Sequence, residues 1–182
     1  MDLSYILNQL GEDRAQYFGA VAPPIVQSSI FAFPTVDAMR VGFRDEFGEH
    51  VYTRGNNPTV EILRKKVAAL EGAEDCLMFG SGAAAMSAGV IACLSGGDHV
   101  VCVARPYSWT RAVLQDLLGR FGVATTFVDG TDVANFEHAL TERTRLIVLE
   151  SPNSMTFEQQ DLAAVAKLAK ARGILTLCDN SY

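Results

Sequence analysis

The chain has 182 residues, 49% of them hydrophobic and 20% charged, with a formal net charge of -6 and a pI near 5.0. That length and apolar fraction suffice for a core of domain size and exclude a chain disordered as a whole. The acidic balance argues against a nucleic-acid or anionic-membrane surface and leaves small metabolites as the expected partners.

Cys76, Cys93, Cys102 and Cys178 each sit among apolar residues, and no two have C-x-x-C spacing. All four read as reduced core residues. The start Met1-Asp2-Leu3-Ser4-Tyr5 lacks a basic region and an apolar signal core, and no apolar run approaches the ~20 residues of a membrane span. A cytoplasmic location is the expectation.

Residues 2–18 suit a short helix. The next stretch, Gly19 to Pro34, carries Pro23, Pro24 and Pro34 among β-branched and aromatic residues. Proline fixes φ and bars its predecessor from the helical region, so this is an extended arm. Its apolar Ile25, Val26, Ile30, Phe31 and Phe33 cannot form a core of their own and call for another surface, such as a neighbouring subunit. Thr35 caps a helix of roughly residues 36–47, and Gly55-Asn56-Asn57-Pro58 marks a loop. From Pro58 the period becomes helical, with Val60, Leu63, Val67 and Leu70 on one face and Gly72 just past the end, while Glu61, Arg64, Lys65 and Lys66 form a solvated face.

Strands and helices then alternate. Strands are expected near 75–79, 98–104, 123–128, 144–150 and 174–178, and helices near 83–94, 108–120, 132–140 and 158–171. Val100-Val101-Cys102-Val103 and Leu146-Ile147-Val148-Leu149 are apolar throughout, as strands covered on both faces must be. The pattern predicts an α/β fold with a mostly parallel sheet and helices on both faces. In such sheets ligands sit beyond the carboxyl ends of the strands, which here carry Gly80-Ser81-Gly82, Arg105-Pro106-Tyr107, Asp129, Glu150-Ser151-Pro152 and Asp179-Asn180-Ser181. Residues 1–46 read as an arm with short helices, and 47–182 as part of a larger α/β domain.

Gly80-x-Gly82-x-x-Ala85 opens the helix near 83–94, where small side chains and free first-turn amides suit a phosphate. It also matches the dinucleotide fingerprint G-x-G-x-x-[GA]. That fingerprint belongs on the first strand of a domain with an acidic residue ~20 positions later, whereas here the next strand ends in Ala104-Arg105. A structural glycine turn is the other alternative. Asp179 can either hold a pyridinium proton or cap the next segment. Tyr107 offers a stacking ring or an ordinary half-buried one. Arg54, in Tyr52-Thr53-Arg54, is either a bidentate phosphate ligand or a solvated loop arginine. His50, His99 and His138 share no spacing of a metal site or catalytic triad.

Six ordered segments together resemble the Cys/Met-metabolism family of pyridoxal-phosphate enzymes, which have the aspartate-aminotransferase-like (type I) fold. They are the arm GAVAPPIVQSSIFAFP; Tyr52-Thr53-Arg54-Gly55-Asn56-Asn57-Pro58-Thr59; Ser81-Gly82-Ala83-Ala84-Ala85; Tyr107-Ser108-Trp109-Thr110; Glu150-Ser151-Pro152; and Asp179-Asn180-Ser181. The resemblance implies a pyridoxal 5'-phosphate site to which Ser81, Gly82, Ala83, Tyr107, Ser154, Asp179 and Ser181 contribute. In that site the amides of Gly82 and Ala83 hold the phosphate, Tyr107 stacks on the ring and Asp179 pairs with the ring nitrogen. Tyr107 is also the candidate catalytic residue, accepting the substrate's amine proton. Tyr52 and Arg54 would reach the phosphate of a neighbouring subunit, implying a dimer or tetramer.

Three departures are informative. After Glu150-Ser151-Pro152, where most of the family has x-N-P, this chain runs Asn153-Ser154-Met155-Thr156-Phe157-Glu158 and places Ser154 near the ring hydroxyl. That run resembles the bacterial cystathionine β-lyase branch and favours β-elimination of a cysteine thioether over γ-elimination or γ-replacement on homoserine derivatives. Trp109 stands where a small residue is usual. The family's Schiff-base lysine falls beyond the aspartate matching Asp179, and Lys65, Lys66, Lys167 and Lys170 sit in helical patterns instead. The resemblance therefore implies an N-terminal portion of such an enzyme, inactive alone, with an incomplete fold; a non-catalytic fragment is the alternative.

Overall fold

The computed structural model describes residues 1–182, which divide into two compact units, Met1–Met78 and Phe79–Tyr182.

In the first unit, helix α1 is Leu3–Asn8, capped by the Asp2 carboxylate on the Tyr5 amide at 3.2 Å. The helix predicted over 2–18 is shorter because Gly11 adopts φ 78° and only a 3₁₀ turn, Arg14–Tyr17, follows. Helix α2, Val36–Gly42, starts on its Thr35 cap as expected but stops short of residue 47. Helix α3, Pro58–Glu71, has its expected bounds: Asn57 caps it, Pro58 fills the first turn, and Gly72 at φ 63° closes it in the left-handed conformation.

The faces of α3 differ from the expectation. Val60, Leu63 and Leu70 are exposed, whereas Ala68 is buried. Arg64 is no solvated residue: its side chain is 11% exposed and bonds Asp75 at 2.6 Å and the Cys76 carbonyl at 2.7 Å. Lys66 likewise reaches Glu12 at 2.5 Å and the Leu7 carbonyl at 2.8 Å. Long cationic stems on a helix can bury their methylenes and still anchor distant backbone. The arm is extended, fastened where Thr59 Oγ1 accepts the Val26 amide at 2.9 Å and Asn57 Nδ2 donates to the Val26 carbonyl at 3.0 Å. Its Ile25 and Ile30 are exposed.

The strand predicted near 75–79 does not form: the segment pairs with no strand, and Leu77, Met78 and Phe79 are exposed. Its apolar pattern suits a strand, but a strand without a ladder partner leaves its backbone groups to water.

The second unit opens with α4, Gly82–Ala92, followed by β1, His99–Val103, and α5, Ser108–Ala112. Then come β2, Ala124–Val128; α6, Val133–Ala139; β3, Thr144–Glu150; α7, Leu162–Ala171; and β4, Leu175–Asp179. All three strand pairings are parallel, in the order β2-β1-β3-β4. The helix expected over 108–120 is α only to Ala112, then widens into a π turn at Val113–Leu117 and tightens into a 3₁₀ turn at Leu118–Phe121.

Right-handed crossovers place α6 and α7, which connect steps in one direction along the sheet, on one face, and α5 on the other. Between the layers lie Val100, Val101, Cys102, Leu114, Phe136, Leu146, Ile147, Val148 and Val165, each at most 1% exposed. Burial in this core pushes the Cys102 thiol far above its usual range. Helix α4 comes close to the sheet through Gly89, where a Cβ would stand 3.3 Å from Leu177 Cδ1. The small-residue run thus sets how near the helix N-terminus can come to the strand ends.

The order β2-β1-β3-β4 puts the reversal of winding between β1 and β3. There the chain leaves neighbouring strands toward opposite faces and opens a crevice, the usual ligand site of such sheets.

Candidate active site

A cavity of about 460 Å³ lies in the second unit, lined among others by Ser81, Gly82, Ala83, Tyr107, Ser154, Asp179 and Ser181. Seven of the nine residues singled out in the sequence therefore meet in one place. Tyr52 and Arg54 belong to the first unit, where the Arg54 guanidinium stands 4.8 Å from the centroid of the Tyr52 ring.

The first turn of α4 forms one part of the lining. Ser81 is its cap, its Oγ accepting the Ala84 amide at 3.1 Å. The Ala85 amide bonds the Ser81 carbonyl at 3.0 Å, whereas the amides of Gly82 and Ala83 have no acceptor. Apart from the turn's own neighbouring backbone, nothing lies within 4 Å of a Cβ built on Gly80 or Gly82, so the turn is bare on that side. Two free amides at a helix N-terminus form an anion site.

The lining's acidic part comes from the sheet. Asp179 ends β4, and its Oδ1 accepts both the Ser181 hydroxyl at 2.6 Å and the Ser181 amide at 3.1 Å, leaving Oδ2 free. Ser181 thus orients the aspartate. Glu150, 4% exposed, ends β3 in register with Asp179. No Lys, Arg or His lines the cavity. Burial raises the thiol of neighbouring Cys178 above its ordinary range.

Tyr107 immediately precedes α5 and is 44% exposed. Ser154 Oγ is buried without a hydrogen-bond partner, the kind of orphan a ligand satisfies. Trp109 also lines the cavity and is 61% exposed.

The side chains that hold these groups in place lie outside the predicted site residues. The Glu150 carboxylate accepts the Tyr107 amide at 2.5 Å and the Ser154 amide at 2.6 Å. Asn153, 3% exposed, donates to the Arg105 carbonyl at 2.5 Å and accepts the Met155 and Thr156 amides at 3.1 and 3.2 Å. Arg111 donates to the Ala104 carbonyl and lies 4.1 Å from the Phe127 ring centroid. A signal existed for Glu150: a carboxylate closing a fully apolar strand must find donors when it is buried. These anchors also explain why α7 begins at Leu162 rather than near 158. Residues 151–160 form a hydrogen-bonded loop, and Asp161 then caps the helix at the Ala164 amide, 2.9 Å away.

An anion site and an unpaired carboxylate oxygen in one cavity, beside an aromatic ring and an orphan hydroxyl, match what a phosphorylated pyridine needs. Residues 6–182 match the Cys/Met metabolism PLP-dependent enzyme family. The chain belongs to that family. It is 37% identical over 172 residues to an L-methionine gamma-lyase of Pseudomonas putida, covering 94% of this chain and 43% of that protein. It is also 37% identical over 164 residues to the cystathionine beta-lyase MetC of Bacillus subtilis, covering 90% of this chain and 40% of that protein. A crystal structure of metB from Corynebacterium glutamicum superposes with a TM-score of 0.88 at 32% identity, covering 99% of this chain and 45% of that one. The chain thus spans less than half the length of the relatives it matches. The family depends on pyridoxal phosphate and acts on amino acids, and no helix here is long and apolar enough to cross a membrane.

Proposed function

We propose that the chain supplies cofactor-binding residues to a pyridoxal-phosphate-dependent carbon–sulfur lyase. Its reaction is β-elimination of cystathionine or a related cysteine thioether, giving a thiol, pyruvate and ammonia. The observation that carries the cofactor assignment is the polarity of the cavity. Free amides of Gly82 and Ala83 contribute one part of its lining, the free Oδ2 of Asp179 another, and no cation lies among the lining residues. That suits a ligand joining a phosphate to a protonated ring nitrogen.

Bound there, pyridoxal phosphate supplies an electron sink for the substrate Cα. Gly82 and Ala83 hold the phosphate through their amides, aided by the dipole of α4, and Ser81 keeps that turn in shape. Asp179, its other oxygen fixed by Ser181, favours a proton on the ring nitrogen. Ser154 offers its unpaired hydroxyl to the ring hydroxyl. Tyr107 would stack on the cofactor ring, and its phenolic oxygen would receive the amine proton of the incoming substrate where a cation such as a second subunit's Arg54 favours the phenolate. Tyr52 and Arg54 serve the phosphate of a second subunit, and the exposed Ile25 and Ile30 of the arm lie against a partner copy.

The β-assignment is favoured by the run Glu150-Ser151-Pro152-Asn153-Ser154, and similarity to a methionine gamma-lyase keeps γ-elimination as the second reading. Product analysis with cystathionine, made on the whole enzyme to which the chain contributes, decides between them. Homocysteine with pyruvate is expected; cysteine with 2-oxobutyrate establishes γ-chemistry, and no turnover with any thioether amino acid overturns the lyase assignment.

A further inference from the structure

Glu150 lines the same cavity, yet nothing in the reaction just described requires it. The residue is 4% exposed, and no Lys, Arg or His lines the cavity with it. A buried carboxylate without a cation is costly unless hydrogen bonds satisfy it. Here the donors are two backbone amides from two different loops: Tyr107, following β1, to Oε2, and Ser154, following β3, to Oε1.

The position explains the need. The loops after β1 and β3 diverge toward opposite faces at the reversal of winding, so no ladder hydrogen bond joins them beyond the strand ends. Asn153 and Arg111 hold the β1 loop at the carbonyls of Arg105 and Ala104. Tyr107 lies beyond both ties, and its side chain makes no cap bond to α5. Its amide is held by Glu150 alone.

We propose that Glu150 is a positioning residue, whose carboxylate bridges the crevice and sets the stacking ring of Tyr107 relative to the hydroxyl of Ser154. The role rests on the cofactor reading above. A carboxylate is required because it alone accepts at both oxygens; glutamine has the same shape but presents one acceptor and one NH₂ donor, so one amide must lose its partner.

The test compares four proteins: wild type, Glu150→Gln, Tyr107→Ala and the double variant. Each is titrated as apoprotein with pyridoxal phosphate, with its melting temperature followed in parallel. Glu150→Gln is expected to weaken cofactor binding about tenfold to a hundredfold, but less than about threefold when Tyr107 is already alanine, because the two act as one unit. Equal losses in both backgrounds, or unchanged binding by Glu150→Gln, overturn the proposal.

Amide hydrogen exchange on the wild-type protein gives a second, fold-independent arm. Tyr107 and Ser154 amides should exchange at least about tenfold more slowly than those of Ser108 and Trp109, which open α5 without acceptors. Comparable rates overturn the bridge whether or not Glu150→Gln folds. Failure of wild-type protein to bind pyridoxal phosphate contradicts the cofactor reading itself, and the exchange rates still decide whether Glu150 holds the two loops.

Discussion

Glu150 and Asp179 are register partners at the carboxyl ends of two adjacent parallel strands, which places two carboxylates side by side on one face of the sheet. They have different tasks: both oxygens of Glu150 are occupied by backbone amides, whereas Asp179 keeps Oδ2 free. Asp179→Asn retains an oxygen for Ser181 and removes the charge. In the whole enzyme proposed above it should leave the melting temperature within a few degrees while lowering turnover by about a hundredfold or more, since the charge proposed to face the cofactor ring is lost. Steady-state kinetics beside thermal unfolding checks both halves.

Ser81 has a structural task that can be separated from ligand binding. Its hydroxyl satisfies the Ala84 amide at the start of α4. Ser81→Ala should cost about 1 kcal/mol of stability in urea denaturation without ligand. Ser81→Asp keeps the cap and so retains stability, but puts a negative charge at the helix mouth and should weaken phosphate-dependent binding.

At the opposite end of the sheet, His99 joins three strands. Its ring nitrogens lie 2.8 Å from Thr144 Oγ1 and 2.9 Å from Thr126 Oγ1, and burial, followed by the nearby Arg143 charge, lowers its pKa. The unfolded chain then takes up a proton more readily than the folded one. This contribution is intact above pH ~6.5 and is lost as pH falls through the folded pKa below it. Denaturation at pH 8 and pH 5.5 should show a larger acid-side loss in wild type than in His99→Gln.

Phe136 on α6 is fully buried against the sheet. Phe136→Ala should destabilise the protein by about 3–5 kcal/mol, read by chemical denaturation, because the cavity it leaves is enclosed by β-strand side chains that cannot collapse into it.

Much of this architecture was legible in the sequence where local chemistry and burial agree. Pro58, Gly72 and the helical period between them set the bounds of α3, and unbroken apolar runs announced the buried β1 and β3. The glycine turn, Tyr107 and Asp179 were legible because ordered strand ends converge on one crevice. Tertiary matters were not. The segment 75–79 has a strand's pattern but no partner, and the pairing of Arg64 with Asp75 cannot be read from the helical period. Glu150 was visible only as part of a motif. Its link to the Tyr107 amide spans 43 residues of sequence and depends on the handedness of two crossovers.

Pyridoxal phosphate is proposed to occupy the cavity at the β1–β3 crevice. A crystal structure of the protein soaked with that cofactor tests it most directly. Density should show the phosphate on the amides of Gly82 and Ala83, the ring against Tyr107 and the ring nitrogen facing Asp179. A cavity empty at saturating cofactor, or a phosphate bound elsewhere, would contradict it.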